Sequence, residues 1–318
     1  MNRAIALLSG EATGIPLAEA KSLFLTYDPG ARFDMPQDRV LLSETTADPF
    51  VVSERVAFAR RVGFLLNSPE EAFPRMRGRR IRLREYVIPG GVPSSAPPGD
   101  LLRGCDATID LVNPDLELTV IRGEREYFAL ADPLRMVQGW SKRRPRKRQF
   151  FHPSAIFPKF ARALVNLSRC KKGGVFLDPF SGTGSLPLEA LFVGADVVAM
   201  DQTRKMAAGS LLNMRHYGET LLGVIRGDAF SPPFRSVDAI ATDVPYGRVS
   251  STRGEEPAAV LLGALHSLSN VASPGSFVVV MHRKQDEVLP PSGLSVESAH
   301  DLYVHKRLTR TVSVFRKR

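Results

Sequence analysis

The segment ATDVPYGR, Ala241–Arg248, places an acid, a proline and an aromatic at the end of an apolar run. That combination suits chemistry on the exocyclic amine of a nucleobase. Such an amine is a poor nucleophile because its lone pair is delocalised into the ring. Methyl transfer makes the nitrogen positive and tetrahedral, and two acceptors fixed beside it stabilise the charge that develops in the transition state. Asp243 supplies one acceptor through its carboxylate and the Val244 carbonyl supplies the other. Pro245 stiffens the turn, and Gly247 lets the backbone approach closely. Tyr246 can stack on a base that has left its helix. Taken alone, Pro-Tyr-Gly after a strand is an ordinary turn, so the reading depends on what precedes it.

What precedes it is VFLDPFSGTGSLPLEA, Val175–Ala190, a strand, a glycine-containing loop and a helix in that order. Gly182 and Gly184 let backbone N–H groups come close to a ligand. The positive end of the helix starting near Ser185 faces the same way. Asp178, at the strand end, can take an ammonium group. These groups together suit the carboxylate and amine of a methionine moiety, hence S-adenosyl-L-methionine. VVAMD puts Asp201 at the end of the next strand, where an acid accepts ribose hydroxyls. IRGDAF puts Asp228 where it can receive an adenine amino group. Phe180 of the loop and Ala229 beside Asp228 are assigned to the same cofactor site. A dinucleotide-binding dehydrogenase is the main competitor, and the loop lacks its GxGxxG pattern.

Positioning these groups requires a mostly parallel sheet. From Phe151 onward, expected strands Val175–Leu177, Asp196–Met200, Gly223–Gly227, Ala239–Thr242 and Ser276–Met281 alternate with helical stretches. A terminal hairpin within Ser295–Arg316 closes the pattern. The earlier half reads as a strand over Arg3–Leu8, a helix over Pro16–Leu25 and a strand over Asp38–Thr45. Apolar spacing then predicts a helix over Pro49–Leu66. Arg75–Arg84 reads as a half-exposed strand, and three more strands fall within Asp106–Leu130. The loop Ile88–Gly99 and the basic run Lys142–Arg148 break the composition. The expected division is 1–141, a linker 142–150, and 151–318.

The 318 residues carry a net charge of +10, which favours a polyanionic partner. Arg77, Arg79, Arg80 and Arg82 lie in one arginine-rich stretch. Lys142, Arg143, Arg144, Arg146, Lys147 and Arg148 fill all but one of seven consecutive positions. Both groups are expected to contact phosphate, fixing register without reading sequence. Their competing reading is a solvated linker and an ordinary basic face. Trp140 can stack on a base or simply pack. Cys105 and Cys170 belong to no Cys/His cluster, so no metal site is expected. The apolar run Ala4–Leu8 is too short for a signal sequence, and a soluble, cytoplasmic protein acting as a monomer without a protein partner is expected.

DPFSGTGS followed by DVPYGR resembles the amino-methyltransferases whose site motif is Asp-Pro-Pro-Tyr. More narrowly, RPRKRQFFHPSAIFPKFARALVNLS, NPDLELTVI and LYVHKRLTR resemble archaeal THUMP-containing tRNA guanine-N2 methyltransferases. The resemblance spans nearly the whole chain and is weakest before Val51. It implies an α/β fold in which a Rossmann-like class I methyltransferase domain follows an α+β, THUMP-containing RNA-binding domain. It implies methylation of guanosine 10 of tRNA, once or twice. It also implies that His152, Pro153 and Ser154 close over the methionine end of the cofactor, although His152 reads equally as an ordinary histidine and receives no proton-transfer role. Val244 stands where the family motif has proline, which implies some loss of rigidity. Two alternatives stay open: a DNA adenine-N6 methyltransferase, since the same logic serves any exocyclic amine, and a non-catalytic RNA-binding protein that kept the fold.

Overall fold

The computed structural model describes residues 1–12, 14–93, 98–136, 139–218, 222–245, 256–286, 289–305 and 308–318. It divides into two units, Met1–Glu11 with Pro16–Gln138, and Ala12–Ile15 with Gly139–Arg318. The basic run Lys142–Arg148 falls within the second. Each unit is built on one mixed sheet.

In the first unit the elements run β1 (Asn2–Leu8), α1 (Ile15–Tyr27), β2 (Arg32–Gln37), β3 (Val40–Thr45), α2 (Pro49–Ser53), β4 (Ala59–Leu66), α3 (Phe73–Met76), β5 (Arg80–Val87), β6 (Thr108–Ile109), β7 (Leu116–Arg122) and β8 (Glu126–Ala131). Among the described residues the sheet order is β2-β3-β1-β4-β8-β7-β5-β6. β1, apolar and buried from Ala4 to Leu8, lies inside this sheet, antiparallel to both β3 and β4. Leu23 and Phe24 of α1 pack on Ala4, Ala6, Leu8, Leu41 and Val62.

The helix expected over Pro49–Leu66 is not formed as one element. Asp48 caps a short α2 that ends at Ser53. The backbone N–H groups of Ala57 and Phe58 then donate to the two carboxylate oxygens of the buried Glu19, at 2.9 and 2.8 Å. Glu19 thereby takes donors that a continuing helix would need, and the chain leaves as β4, an interior strand between β1 and β8. The period-two alternation of Val62, Phe64 and Leu66 was the local signal for it. The strand expected over Arg75–Arg84 is likewise shorter. Phe73–Met76 is helical, Gly78 turns the chain at φ 68°, and pairing begins at Arg80. Arg77 and Arg79 therefore lie outside the strand. β2 was not anticipated; RFDMPQ alternates only over Arg32–Met35, and Pro36 then interrupts it.

The second unit contains α4 (Pro158–Leu167), β9 (Val175–Asp178), α5 (Ser185–Phe192), β10 (Asp196–Asp201), α6 (Arg204–His216), β11 (Gly223–Arg226), β12 (Val237–Asp243), α7 (Pro257–Val271), β13 (Ala272–Arg283), β14 (Leu294–His305) and β15 (Leu308–Lys317). Its sheet order among the described residues is β11-β10-β9-β12-β13-β15-β14. The five strands β9–β13 are parallel where they pair, and the β14–β15 hairpin adds an antiparallel edge through β15. Strands buried on both faces need continuous apolar sequence, which VVAM in β10 and FVVVM in β13 supply. The chain builds β9, β10 and β11 in one direction, then returns to lay β12 on the other flank of β9. The carboxyl ends of β9 and β12 thus flank a topological switch point, the usual ligand crevice of such sheets. Among the described residues no helix is long and apolar enough to cross a membrane.

Candidate active site

Three acids end adjacent strands at that switch point: Asp201 on β10, Asp178 on β9 and Asp243 on β12. Asp178 is buried, and its Oδ1 accepts from the Thr242 hydroxyl at 2.6 Å and the Phe180 N–H at 3.2 Å. Burial pushes its pKa up to about 7; those two hydrogen bonds oppose the shift, and the Asp201 and Asp243 charges add to it. Asp201 accepts from the Gly182 N–H at 3.0 Å through Oδ2 and from the Thr203 N–H at 2.8 Å through Oδ1. It therefore ties the glycine loop to the end of β10. Asp228 follows β11 and accepts from the Phe230 N–H at 3.1 Å. Ala229 beside it is buried, and its carbonyl accepts from Ser267.

Both loop glycines are left-handed, Gly182 at φ 51° and Gly184 at φ 79°. They differ in surroundings. A Cβ at Gly184 would lie 2.4 Å from the Ser210 hydroxyl, so this glycine lets the loop close onto α6. A Cβ at Gly182 would meet nothing nearer than the Phe180 carbonyl at 4.0 Å. The open side of Gly182 is the space a ligand can use, and Phe180 beside it is half-buried. The Asn213 amide on α6 donates to both the Thr183 and Phe150 carbonyls at 2.9 Å, holding the loop and the segment before α4 together. Phe150 itself packs where a side chain at Gly209 would be. Just beyond, the His152 Nδ1 lies 2.7 Å from the Ser154 hydroxyl, with Pro153 exposed between them.

Asp243 sits at the last position of β12. One carboxylate oxygen, Oδ2, accepts from Arg310 Nη1 at 3.2 Å; the other, Oδ1, is buried and has no hydrogen-bond partner among the described residues. Burial pushes this carboxyl up to about 6, with the Arg310 charge and hydrogen bond opposing. Val244 is buried and its N–H donates to the Met281 carbonyl at 3.0 Å. A proline at that position has no N–H to give, so the expected loss of rigidity is offset by a bond to β13. Pro245 is described as half-buried; Tyr246 and Gly247 lie outside the described residues.

The basic residues divide. Arg148 is buried and donates to the Ser185 hydroxyl at the start of α5 at 2.7 Å. Arg143 is bonded to the buried Glu189 at 2.9 Å, which also holds Arg162. Its guanidinium lies between the Trp140 and Phe192 rings, 4.8 and 4.9 Å from their centroids, so Trp140 is packed against it. Arg82 is bonded to the buried Glu117, and Arg80 to Asp115 at 2.6 Å. All four were expected to face phosphate; Arg82, Arg143 and Arg148 are engaged within their own units, whereas Arg80, though bonded to Asp115, stays exposed. Lys142, Arg144, Arg146, Lys147, Arg77 and Arg79 are exposed. Among the described residues no cluster of His, Cys, Asp and Glu is placed to hold a metal ion.

A family model described as RMKL-like, methyltransferase domain, matches residues 145–291. The tRNA (guanine(10)-N2)-dimethyltransferase of Methanocaldococcus jannaschii is 34% identical over 223 residues, covering 67% of this chain and 61% of that protein. The probable tRNA (guanine(10)-N2)-dimethyltransferase of Methanothermococcus thermolithotrophicus is 33% identical over 168 residues, half of this chain and 98% of that sequence. The chain belongs to the tRNA (guanine(10)-N2)-dimethyltransferase family. It spans about six-tenths of the length of the Methanocaldococcus relative. The fold is shared with the crystal structure of TrmN from Thermus thermophilus, at a TM-score of 0.52 and 20% identity, over 99% of this chain and all of that one. The family indicated by the motifs is therefore shown, together with a methyltransferase domain in the second half and a further domain before it.

Sequence reasoning missed three residues that shape this family member's site. Arg310 lies 67 positions from Asp243, and only the pairing of β15 with β13 brings it close. Thr242 looked like one more strand residue. Asn213 sits on a helix face whose partner was not legible. Arg310 and Thr242 fall inside the quoted LYVHKRLTR and ATDVPYGR, but nothing in those motifs assigned them a partner.

Proposed function

We propose that the chain is a two-domain RNA methyltransferase that transfers a methyl group from S-adenosyl-L-methionine to the exocyclic N2 of guanosine 10 in tRNA, once or twice. The observation that carries this reading is Asp243. It is an acid at the carboxyl end of β12, anchored through one oxygen, with the other left without a partner beside the switch point.

The donor set fits the cofactor. Asp178 offers a buried carboxylate for an ammonium group, the Gly182 side of the loop is open to a carboxylate, Asp201 is placed for ribose hydroxyls, and Asp228 with Ala229 for adenine. His152, Pro153 and Ser154 cover the methionine end. When bound, the cofactor supplies an electrophilic methyl group. The chain's own residues act on the base. Asp243 Oδ1 and the Val244 carbonyl accept hydrogen bonds from the amine and stabilise its developing positive charge. The hydrogen bond from Val244 N–H to the Met281 carbonyl holds the backbone that follows Asp243 against β13. The proton leaving the methylated nitrogen goes to Asp243 or to water. Tyr246 stacks on the extruded base.

The first domain, 1–141, is assigned as the THUMP-containing RNA-binding part, and 151–318 as the methyltransferase. Phosphate contacts are assigned to the exposed Arg77, Arg79 and Arg80 in the first unit. In the second they fall to Lys142, Arg144, Arg146 and Lys147, the members of the basic run that remain exposed. The relatives' names support tRNA as substrate. The deciding experiment incubates unmodified tRNA with methyl-labelled S-adenosyl-L-methionine and maps the label by mass spectrometry. The expected product is N2-methyl- or N2,N2-dimethylguanosine at position 10. Label in adenine N6 of a matched DNA, or in no nucleoside at all, would overturn the proposal.

A further inference from the structure

We infer that Arg310 is a positioning residue for methyl transfer: it grips Asp243 Oδ2 and turns Oδ1 toward the amine of the incoming base. The inference rests on the reading of Asp243 given above.

The sheet register puts the two side chains on one face. Asp243 on β12 pairs with Met281 on β13, and Met281 pairs with Val312 on β15. Laterally paired residues point to the same side of a sheet, and so do residues two apart on one strand. Arg310, two residues before Val312, therefore shares the face of Asp243. Because β15 is antiparallel, stepping back from Val312 moves toward the carboxyl ends of β12 and β13, where the site is. The guanidinium reaches over Met281, with Nη1 3.7 Å from its sulfur, and meets Oδ2 at 3.2 Å.

Among the described residues the electrostatic surroundings leave this task to Arg310. Asp178, facing from β9, is an acid and repels. On β13, Met281 is uncharged. His282 points to the opposite face, bonded to Ser313, and Arg283 is held by Asp286 at 2.6 Å. On α4, Arg162 is held by Glu189. A carboxylate removed from water favours its neutral form, and for Asp243 burial outweighs Arg310 while Arg310 limits the shift. A protonated Asp243 would offer a donor where the reaction needs an acceptor. Anchoring one oxygen also fixes the direction of the other, since the carboxylate is planar and rigid.

The test measures turnover on tRNA against pH for the full chain carrying Arg310→Met and Arg310→Lys, with S-adenosyl-L-methionine affinity measured alongside. Loss of the cation raises the pKa of Asp243, so the acid limb of kcat moves to higher pH in Arg310→Met. Activity at a pH on that limb falls about tenfold for each unit of displacement. Arg310→Lys returns the limb toward its wild-type place, because a charge is restored without the planar fork. Cofactor affinity stays at the wild-type value in both variants, which also reports that they fold. A wild-type acid limb and kcat in Arg310→Met with cofactor binding intact would overturn the inference. So would failure of Arg310→Lys to move the limb back while binding cofactor normally. If Arg310→Met does not fold, Arg310→Gln takes its place, with the same displaced limb expected and the same wild-type limb overturning the inference. Asp243→Asn run in parallel separates the two layers: a wild-type rate in that variant would bring down the reading of Asp243 itself, whereas an inactive Asp243→Asn beside an unaffected Arg310→Met overturns the role of Arg310 only.

Discussion

Three acids withdrawn from water, one in the first sheet and two in the second, occupy opposite electrostatic regimes. Glu117 on β7 is fully buried and receives Arg61, Arg82 and the Thr119 hydroxyl. Burial alone would raise its pKa, but the Arg61 hydrogen bond and charge, with Arg82 and Thr119, bring the carboxyl below the usual range. Asp178 and Asp243, at the ends of β9 and β12, are pushed up to about 7 and about 6, and Asp243 keeps one oxygen without a partner. A buried acid whose bonding capacity is filled has nothing left to offer a ligand. One that is under-bonded and costly to ionise is held ready for a group that arrives later, and such perturbed acids cluster at functional sites. Glu117 organises a sheet in the first unit, as Glu189 holds Arg143 and Arg162 in the second, whereas Asp178 and Asp243 are the acids proposed for a cofactor and a base.

Removing the acid from the filled site should produce the largest change. Glu117→Ala leaves Arg61 and Arg82 without their counter-ion, and breaking such a buried pair costs about 3–5 kcal/mol. Chemical denaturation should show this loss in the first unit while cofactor affinity is retained. A loss below 1 kcal/mol on the scale of an exposed pair would erase the distinction drawn for Glu117. Next comes the cofactor pocket. Asp201→Ala should weaken S-adenosyl-L-methionine binding by about 1.5–3 kcal/mol, the range of a charged hydrogen bond. Calorimetry giving unchanged affinity in a folded variant would remove Asp201 from the site.

Asp178 sharpens the comparison through pH. Its ammonium partner needs the ionised form, and the group titrates near 7. Cofactor affinity should rise toward pH 7, by up to about tenfold per unit below it, and then level off. The stability of the cofactor-free protein should run the other way. With the folded pKa above the ordinary 3.8, the unfolded chain releases its proton first, so this group's contribution falls as pH rises between about 4 and 7. Asp178→Asn should flatten both trends. Persistence of the full affinity trend in that variant would assign it to another group.

The methyltransferase half was the more legible in sequence, for a physical reason. Parallel strands buried on both faces announce themselves as apolar runs, and each ends in the residue that faces the ligand. Val175–Asp178, Asp196–Asp201 and Val237–Asp243 could thus be placed within a residue or two, with their acids at the ends. The first unit offered weaker signals. Arg61 interrupts the apolar alternation of β4 because it serves Glu117, and the helix expected there fails because Glu19, some forty positions earlier, takes its backbone donors. Arg82, Arg143 and Arg148 carried the appearance of a phosphate surface. Their buried partners Glu117, Glu189 and Ser185 could not be read from neighbouring residues. Asp243 was legible, but the arginine that anchors it was not, since their contact exists only through the register of β12, β13 and β15.

The most direct test is the kinetic split of Asp243→Ala. The residue is assigned to the base and to charge that appears only in the transition state. Loss of one such preorganised group costs on the order of a hundredfold to a thousandfold in turnover. Single-turnover methylation of tRNA should therefore slow by that factor, while the affinities for S-adenosyl-L-methionine and for tRNA remain near wild type. A folded Asp243→Ala protein that binds both ligands and methylates guanosine N2 at the wild-type rate would contradict the assignment.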